Sequence, residues 1–272
     1  MALVDGLPSV ILNNVAKLIQ QKVPEESSSL VEQFSDLLYG NISNLDLAHR
    51  NDSDMYGATL SLWNSLNGHE AGSPVIKVFN PEVSKHGWKS SHTIIEVIVE
   101  DMPFLVDSMR IALNRLGVSP HLMLNCPMKV VRDKNNQITT LAPAANKSLK
   151  SASVETVFFI EIDRQTEQDV IDNIAAELHS VVSDISLTVT DWQPMLKRLK
   201  EVTEEIKKGK QPCSKQERED ALEFLHWIAQ DHFTLMGYRS YDVTELKGDT
   251  ALEANVESSL GLRKTPTAPS SA

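Results

Sequence analysis

Apolar residues recur at helical spacing through the first third of the chain. Across 8–21, Ile11, Val15, Leu18 and Ile19 fall on one face. Across 28–39, Leu30, Phe34, Leu37 and Leu38 do the same, and Gly40 follows as a stop. A third stripe over 54–66 brings Leu60, Trp63 and Leu66 together. No candidate chemistry accompanies these stripes, so 1–72 reads as a helical region that caps or assembles. The period then changes. Val75–Phe79 is a short strand ending at Asn80-Pro81. Thr93–Glu100 alternates, with Thr93, Ile95, Val97 and Val99 on one face and Glu96 and Glu100 on the other, the pattern of a half-buried strand.

A strand-to-helix turn follows at Glu100-Asp101-Met102-Pro103-Phe104-Leu105-Val106-Asp107-Ser108. Leu105, Met109, Ala112, Leu113 and Leu116 predict the buried side of the helix. Asp101 is placed to cap it, Pro103 fits its first turn, and Gly117 stands where it stops. Residues 118–125 and 128–132 are extended and apolar, with Pro120 and Pro127 limiting regular pairing, and 133–136 form a turn. Residues 154–162 predict another strand, and Ile171, Ile174, Leu178 and Val181 another helix. Residues 185–190 alternate and are β-branched, which predicts a last strand. The same residues also continue the helical stripe through Ile185, Thr188 and Trp192, so periodicity alone leaves both open. Over 93–190 the order is strand, helix, strand, strand, helix, strand. That predicts an α+β fold of the ferredoxin-like βαββαβ kind, one antiparallel sheet covered by two helices. Two further helices follow, one marked by Trp192, Leu196, Leu199, Val202 and Ile206, the other by Ala221, Phe224, Leu225 and Ile228. Ser214 and Glu217 stand in capping-box spacing before the second. The chain turns extended again at 233–241, and the last residues lack the apolar content for a core.

Composition narrows the function. A net charge of −11 over 272 residues disfavours a nucleic-acid backbone as partner. Two distant cysteines, Cys126 and Cys213, match no metal spacing and suit a reducing cytoplasm. No run is apolar and long enough to span a bilayer, and the start does not read as a signal peptide. Gly-Gly, G-x-G-x-x-G, Walker-type loops and G-x-S-x-G elbows are all absent from the sequence. His226 and His232, six apart, do not share a helix face, so capping or packing is the reading there rather than metal binding. With no nucleophile–base pair to locate, a hydrolase or transferase is disfavoured.

The segment T-I-I-E-V-I-V-E-D-M-P-F-L-V-D-S-M-R-I-A-L-N-R-L at 93–116 resembles the N-terminal region of the large bacterial NAD-specific glutamate dehydrogenases. W-I-A-Q-D-H-F-T-L-M-G-Y-R-S-Y-D-V at 227–243 resembles a second signature of that region. Gly87-Trp88 ahead of Ser91-His92-Thr93, and Asp191-Trp192 followed by Met195, fit it too. The likeness implies ACT-like modules of the same βαββαβ order, and so a division into a helical region at 1–72, an ACT-like domain at 73–191, a helical connector at 192–245 leading into a second ACT-like module, and a disordered tail at 246–272. It further implies that the chain is a non-catalytic regulatory and assembly fragment without a cofactor of its own. The parent would convert L-glutamate, NAD and water to 2-oxoglutarate, ammonium and NADH in a downstream catalytic domain that holds the NAD. ACT modules often bind amino acids where the first strand meets the first helix, commonly at a D-x-P-G pattern. The matching positions are Asp101, Met102, Pro103 and Phe104, with Phe104 in place of glycine. The implied effector turn is therefore Asp101, Met102, Pro103, Phe104, Leu105, Val106 and Asp107, where helix-start N–H groups receive a carboxylate. Homo-oligomer formation and an amino-acid effector follow as implied partners. The alternative is a free-standing ACT-type amino-acid sensor.

Overall fold

The computed structural model describes residues 8–40, 42, 47, 50–70, 72–149, 152–209, 213–246 and 249–264. The chain divides into two compact units, Met1–Val181 and Val182–Ala272.

The first unit begins with three helices, α1 (Pro8–Lys22), α2 (Glu25–Tyr39) and α3 (Asp52–Asn67). Asn51 caps α3 with its side-chain oxygen, accepting from the Ser53 and Asp54 N–H groups. A five-stranded antiparallel sheet follows in the order β1-β2-β5-β3-β4, where β1 is Val75–Phe79, β2 Thr93–Glu100, β3 Pro120–Arg132, β4 Ile138–Pro143 and β5 Ser153–Ile162. Between β1 and β2 lies the short helix α4 (Val83–His86). The loop after it packs Trp88 on α3 at Gly57, where even a Cβ would fall 2.3 Å from the Cβ of Trp88. Helix α5 (Leu105–Arg115) joins β2 to β3, and α6 (Gln168–Thr190) follows β5. Arg115 of α5 is ion-paired with Glu177 of α6.

The buried positions alternate along the strands as side-chain period demands. Ile94, Ile98, Val157, Phe159, Met128 and Val130 share one core with α1, α2 and α3 through Val15, Ile19, Phe34, Leu38, Leu62 and Leu66. The alternate residues Ile95, Val97, Phe158, Ile160 and Ile162 are buried on the other face. Strand β2 is therefore buried on both faces, not half-buried as its glutamates predict. Glu96 is fully buried because the helical layer covers the face that would otherwise meet water.

Three glutamates of the central strands, Glu96, Glu155 and Glu161, point into that helical layer, and all are buried. Each is met by a group from elsewhere in the chain. Arg50, just before α3, grips Glu161 in a fork with contacts of 2.6 and 2.7 Å. Arg132 of β3 donates to Glu155 at 3.0 Å and to the Leu66 carbonyl at the end of α3 at 2.9 Å. His69 Nδ1 lies 3.2 Å from the same carboxylate. Ser65 donates to Glu96 at 3.1 Å and accepts from Lys77 at 2.7 Å. Burial pushes the Glu96 carboxyl up, more than Ser61, Lys77 and Ser65 pull it down. Burial also acts to raise Glu155, but His69, Arg132 and Ser153 outweigh it and hold that carboxyl low.

Three local expectations are corrected. Residues 185–190 are not a strand but the end of α6, whose stripe keeps helical period through Ile185 and Thr188. Residues 118–132 form one strand from Pro120, not two pieces. Pro127 stands opposite Thr156 of β5 without interrupting the register, and β4 pairs with β3 only from Met128 onward. Asp101 does not cap α5. The helix starts later, with Phe104 as N-cap at φ 73° and no side-chain cap, and Pro103 lies before it rather than in its first turn. At its other end, Gly117 takes the left-handed conformation, as its position predicts.

In the second unit, α7 (Trp192–Lys208) and α8 (Lys215–Trp227) are followed by a kinked turn at Ile228–His232, where Asp231 takes φ 62°, and a hairpin of β6 (Gly237–Leu246) and β7 (Asp249–Gly261). Ser214 and Glu217 form the capping box that their spacing predicts. Residues 249–261 are thus strand rather than disordered tail, while 265–272 lie outside the described residues. Asp191 clips the end of the hairpin, accepting from Gly261 N–H at 2.6 Å and Lys264 Nζ at 2.9 Å.

These features set two stability predictions. Glu155→Gln leaves the Arg132 charge buried without its partner and should cost about 3–5 kcal/mol at neutral pH, whereas Glu96→Gln removes only a disfavoured charge and should be neutral or stabilising. The depressed Glu155 contributes stability above its unfolded value, near 4.3, that is lost as pH falls through its folded value. The raised Glu96 contributes in the opposite sense, losing stability as pH rises through its folded value. Denaturant titration of both variants against pH checks this, and equal losses at neutral pH would refute it. Separately, Phe104→Gly should leave stability unchanged or raise it by up to about 1 kcal/mol, while Phe104→Val, β-branched at positive φ, should cost more than about 1 kcal/mol. Thermal melts of the pair decide the matter, and a glycine variant less stable than the valine one would contradict it.

Candidate functional site

The turn between β2 and α5 is held by the neighbouring strand. Asp101 N–H donates to the Val154 carbonyl at 2.9 Å, and Asp101 Oδ1 accepts from Thr156 Oγ1 at 2.6 Å. The Asp101 carboxylate is therefore tied sideways to β5 instead of closing the helix end. Phe104 bends the chain into α5, and its carbonyl accepts from Ser108 N–H at 3.0 Å. No side chain caps the first turn of α5, so its leading N–H groups face the turn without a side-chain acceptor.

A cleft of about 130 Å³ opens here. Of the seven residues predicted for the site, Asp101, Met102, Phe104, Leu105, Val106 and Asp107 line it. Pro103 lies exposed in the turn and is not part of the lining. Leu105 is 3% exposed and serves the core as much as the cleft. Phe104, half-exposed, lines the cleft at the position where the D-x-P-G pattern has glycine. Asn125, Thr156 and Phe158 complete the lining. They escape sequence reading because they come from β3 and β5, and only the strand register brings them beside the turn. Chemically the cleft offers uncapped N–H donors beside two carboxylates, Asp101 and Asp107. That set can receive an acidic and a basic group together but supplies no nucleophile and base in contact.

No group of three metal-ligating side chains occurs among the described residues. His232 stacks on Trp227 with ring centroids 4.9 Å apart, and its Nδ1 lies 3.0 Å from the Trp227 carbonyl. His226 Nε2 pairs with the Gln230 amide at 2.9 Å. Cys126 is buried, donates to the Leu37 carbonyl, and has its thiol pushed up to about 11 by burial, which disfavours a reactive thiolate. No described helix is long and apolar enough to cross a membrane.

Comparison with known proteins places these features in a family. Residues 34–178, more than half of the chain, match the glutamate dehydrogenase ACT1 domain. The NAD-specific glutamate dehydrogenase of Halomonas elongata is 34% identical over 93% of this chain and 16% of its own length. That of Pseudomonas aeruginosa is 30% identical over 90% of this chain and 15% of its own. That of Mycobacterium tuberculosis is 22% identical over 56% of this chain and 9% of its own. The chain thus spans less than a fifth of the length of these relatives, and its fold is a mixed helix and antiparallel-sheet arrangement with an ACT-type domain. The chain belongs to the glutamate dehydrogenase ACT1-domain family.

Proposed function

We propose that this chain is the regulatory and assembly region of an NAD-dependent glutamate dehydrogenase, a cytoplasmic homo-oligomer. The whole polypeptide would oxidise L-glutamate with NAD and water to 2-oxoglutarate, ammonium and NADH. The nucleotide site and the reacting groups would lie in a catalytic domain elsewhere in it. One observation carries the reading: nearly all of this chain aligns with a small part of NAD-specific glutamate dehydrogenases. The turn of β2 and α5 supports it, because it brings together donors and carboxylates suited to binding rather than to hydride transfer.

Two finer points belong to the proposal. The sheet reads as a permuted ferredoxin-like sandwich. Strands β2, β3 and β5 with α5 and α6 keep that order. β1, which precedes them in sequence, sits antiparallel beside β2 in the place a closing strand would take, and β4 is an added edge. The turn of Asp101–Asp107 is read as the effector contact. The first N–H groups of α5 would receive a carboxylate, with Asp101 and Asp107 facing an ammonium. The hairpin of β6 and β7 is read as the start of a second module.

The test compares the isolated chain, the whole polypeptide, and the polypeptide without this region. The chain should give no NADH from glutamate and NAD, and the whole polypeptide should. Removing the region should change the oligomeric state or abolish an amino-acid effect on rate, at a coupling of about 1–3 kcal/mol, or 5–150-fold. A truncated enzyme with the assembly and regulation of the whole would sink the proposal.

A further inference from the structure

The β6–β7 hairpin of the second unit is sorted by face. Its register sets Tyr241 opposite Ala254, Asp242 opposite Glu253 and Val243 opposite Leu252. Successive side chains leave a strand on opposite sides. Tyr241, Val243, Leu252 and Ala254 therefore share one face, and Asp242, Thr244 and Glu253 share the other. The apolar face meets water: Val243 is 72% exposed, Leu252 69% and Tyr241 46%. Val256, close to where the register shifts, is exposed as well. The base of the hairpin is anchored instead. Arg198 of α7 lies over the Tyr238 ring, 5.3 Å from its centroid, and donates to the Tyr238 hydroxyl at 3.0 Å.

A two-stranded hairpin is marginal in water unless a further strand or a helix packs on its apolar face. This one carries an added cost, because Asp242 and Glu253 stand directly opposite with like charge. Water screens that repulsion, so the acidic face belongs in solvent. The apolar face is then the one to be covered, the common division of an antiparallel sheet. The neighbouring helix is in the same condition. None of its residues is buried, and Phe224 and Trp227 stand exposed on it.

The size of the patch indicates what covers it. Tyr241, Val243, Leu252 and Val256 together offer on the order of 300–400 Å² of apolar surface, about half of the ~800 Å² that each partner gives to a stable interface. A separate partner or a second copy meeting this face alone is held weakly. A segment joined to the same polypeptide is not, because tethering raises its effective concentration to the order of millimolar. The relatives contain such polypeptide, since this chain corresponds to 16% and 15% of the length of two of them. We propose that the hairpin face of Tyr241, Val243 and Leu252 is the seat of an apolar-sided segment from elsewhere in the same polypeptide. This rests on the reading above that the chain is a region of a longer enzyme.

The experiment compares the 272-residue chain with the whole polypeptide. Val243→Cys and Leu252→Cys each place a thiol on the apolar face, and Glu253→Cys places one on the acidic face. Maleimide labelling of each is timed by peptide mass spectrometry. Val243→Cys and Leu252→Cys should label at least roughly tenfold more slowly in the whole polypeptide, and Glu253→Cys should label alike in both. Hydrogen exchange across the hairpin in the unsubstituted proteins should slow in the same comparison, which keeps the result independent of how the variants fold. Tyr241→p-benzoylphenylalanine then identifies the occupant. Photo-crosslinking should keep the single-chain mass on a denaturing gel and join this region to a peptide outside it. Crosslinks between two chains overturn the proposal in favour of a second copy. Equally fast labelling at Val243→Cys and Leu252→Cys in both proteins overturns it by leaving the face open. Equal slowing at all three positions overturns the assignment of the face. A whole polypeptide that oxidises glutamate with NAD while its hairpin face stays reactive keeps the proposed function and loses only this inference. One that protects the face but has no such activity does the reverse.

Discussion

The structure of the first unit depends on two neighbouring strands, β2 and β5, having both faces taken out of water. An antiparallel sheet can leave one face wet, and most sequences that alternate apolar and polar residues do so. Here Glu96, Glu155 and Glu161 occupy the face that alternation would assign to solvent, yet α1, α2 and α3 lie on it. Burying a carboxylate is tolerable only if another charge or several hydrogen bonds meet it. That requirement determines where the helical layer can sit. Arg50 must reach Glu161, Arg132 must reach Glu155 while it binds the end of α3, and Ser65 must face Glu96. The apolar contacts are non-directional, whereas these polar contacts tie named points of the helical layer to named strands.

This explains what could and could not be read from the residues alone. Helices over 8–21, 28–39 and 54–66, strand β2, and the stop at Gly117 follow from spacing and local chemistry, and all are found, the helices one to three residues longer at their ends. The exposure of β2 was misread because Glu96 finds its partners in β1 and α3, and no local pattern announces them. Strand β4 escaped notice because it is six residues long and gains its order by pairing with β3. At 185–190 two periods fit the same residues. The helical one prevails where α6 is already running and no glycine or proline interrupts it. The turn at Asp101 was visible as a place, but not in its internal bonding. Thr156 competes successfully for the carboxylate that would have capped α5, and Thr156 lies 55 residues away in the chain.

Phe104 shows how the turn is maintained. A left-handed residue is needed to bring the chain from the end of β2 into α5, and the position is one where glycine would be free of strain. A phenylalanine held there implies that the flanking anchors over-determine the conformation. Those anchors are identifiable: the Asp101 bonds to β5 on one side and the burial of Leu105 on the other. Phe104 is half-exposed and lines the cleft, so the turn is both accessible and narrow.

The turn cleft and a cavity of about 360 Å³ on the opposite face of the sheet share one strand. Along β5, Thr156 and Phe158 belong to the turn cleft, and Phe159 and Glu161 to the larger cavity, with side chains alternating through one backbone. β5 lies between β2 and β3 and is hydrogen-bonded on both sides, so it is not free to shift alone. Glu161, gripped by Arg50 on one face, and Thr156, which holds Asp101 on the other, are therefore positioned by one backbone. The covered sheet that forces the carboxylates to be paired is thus also what holds the Asp101 turn in place.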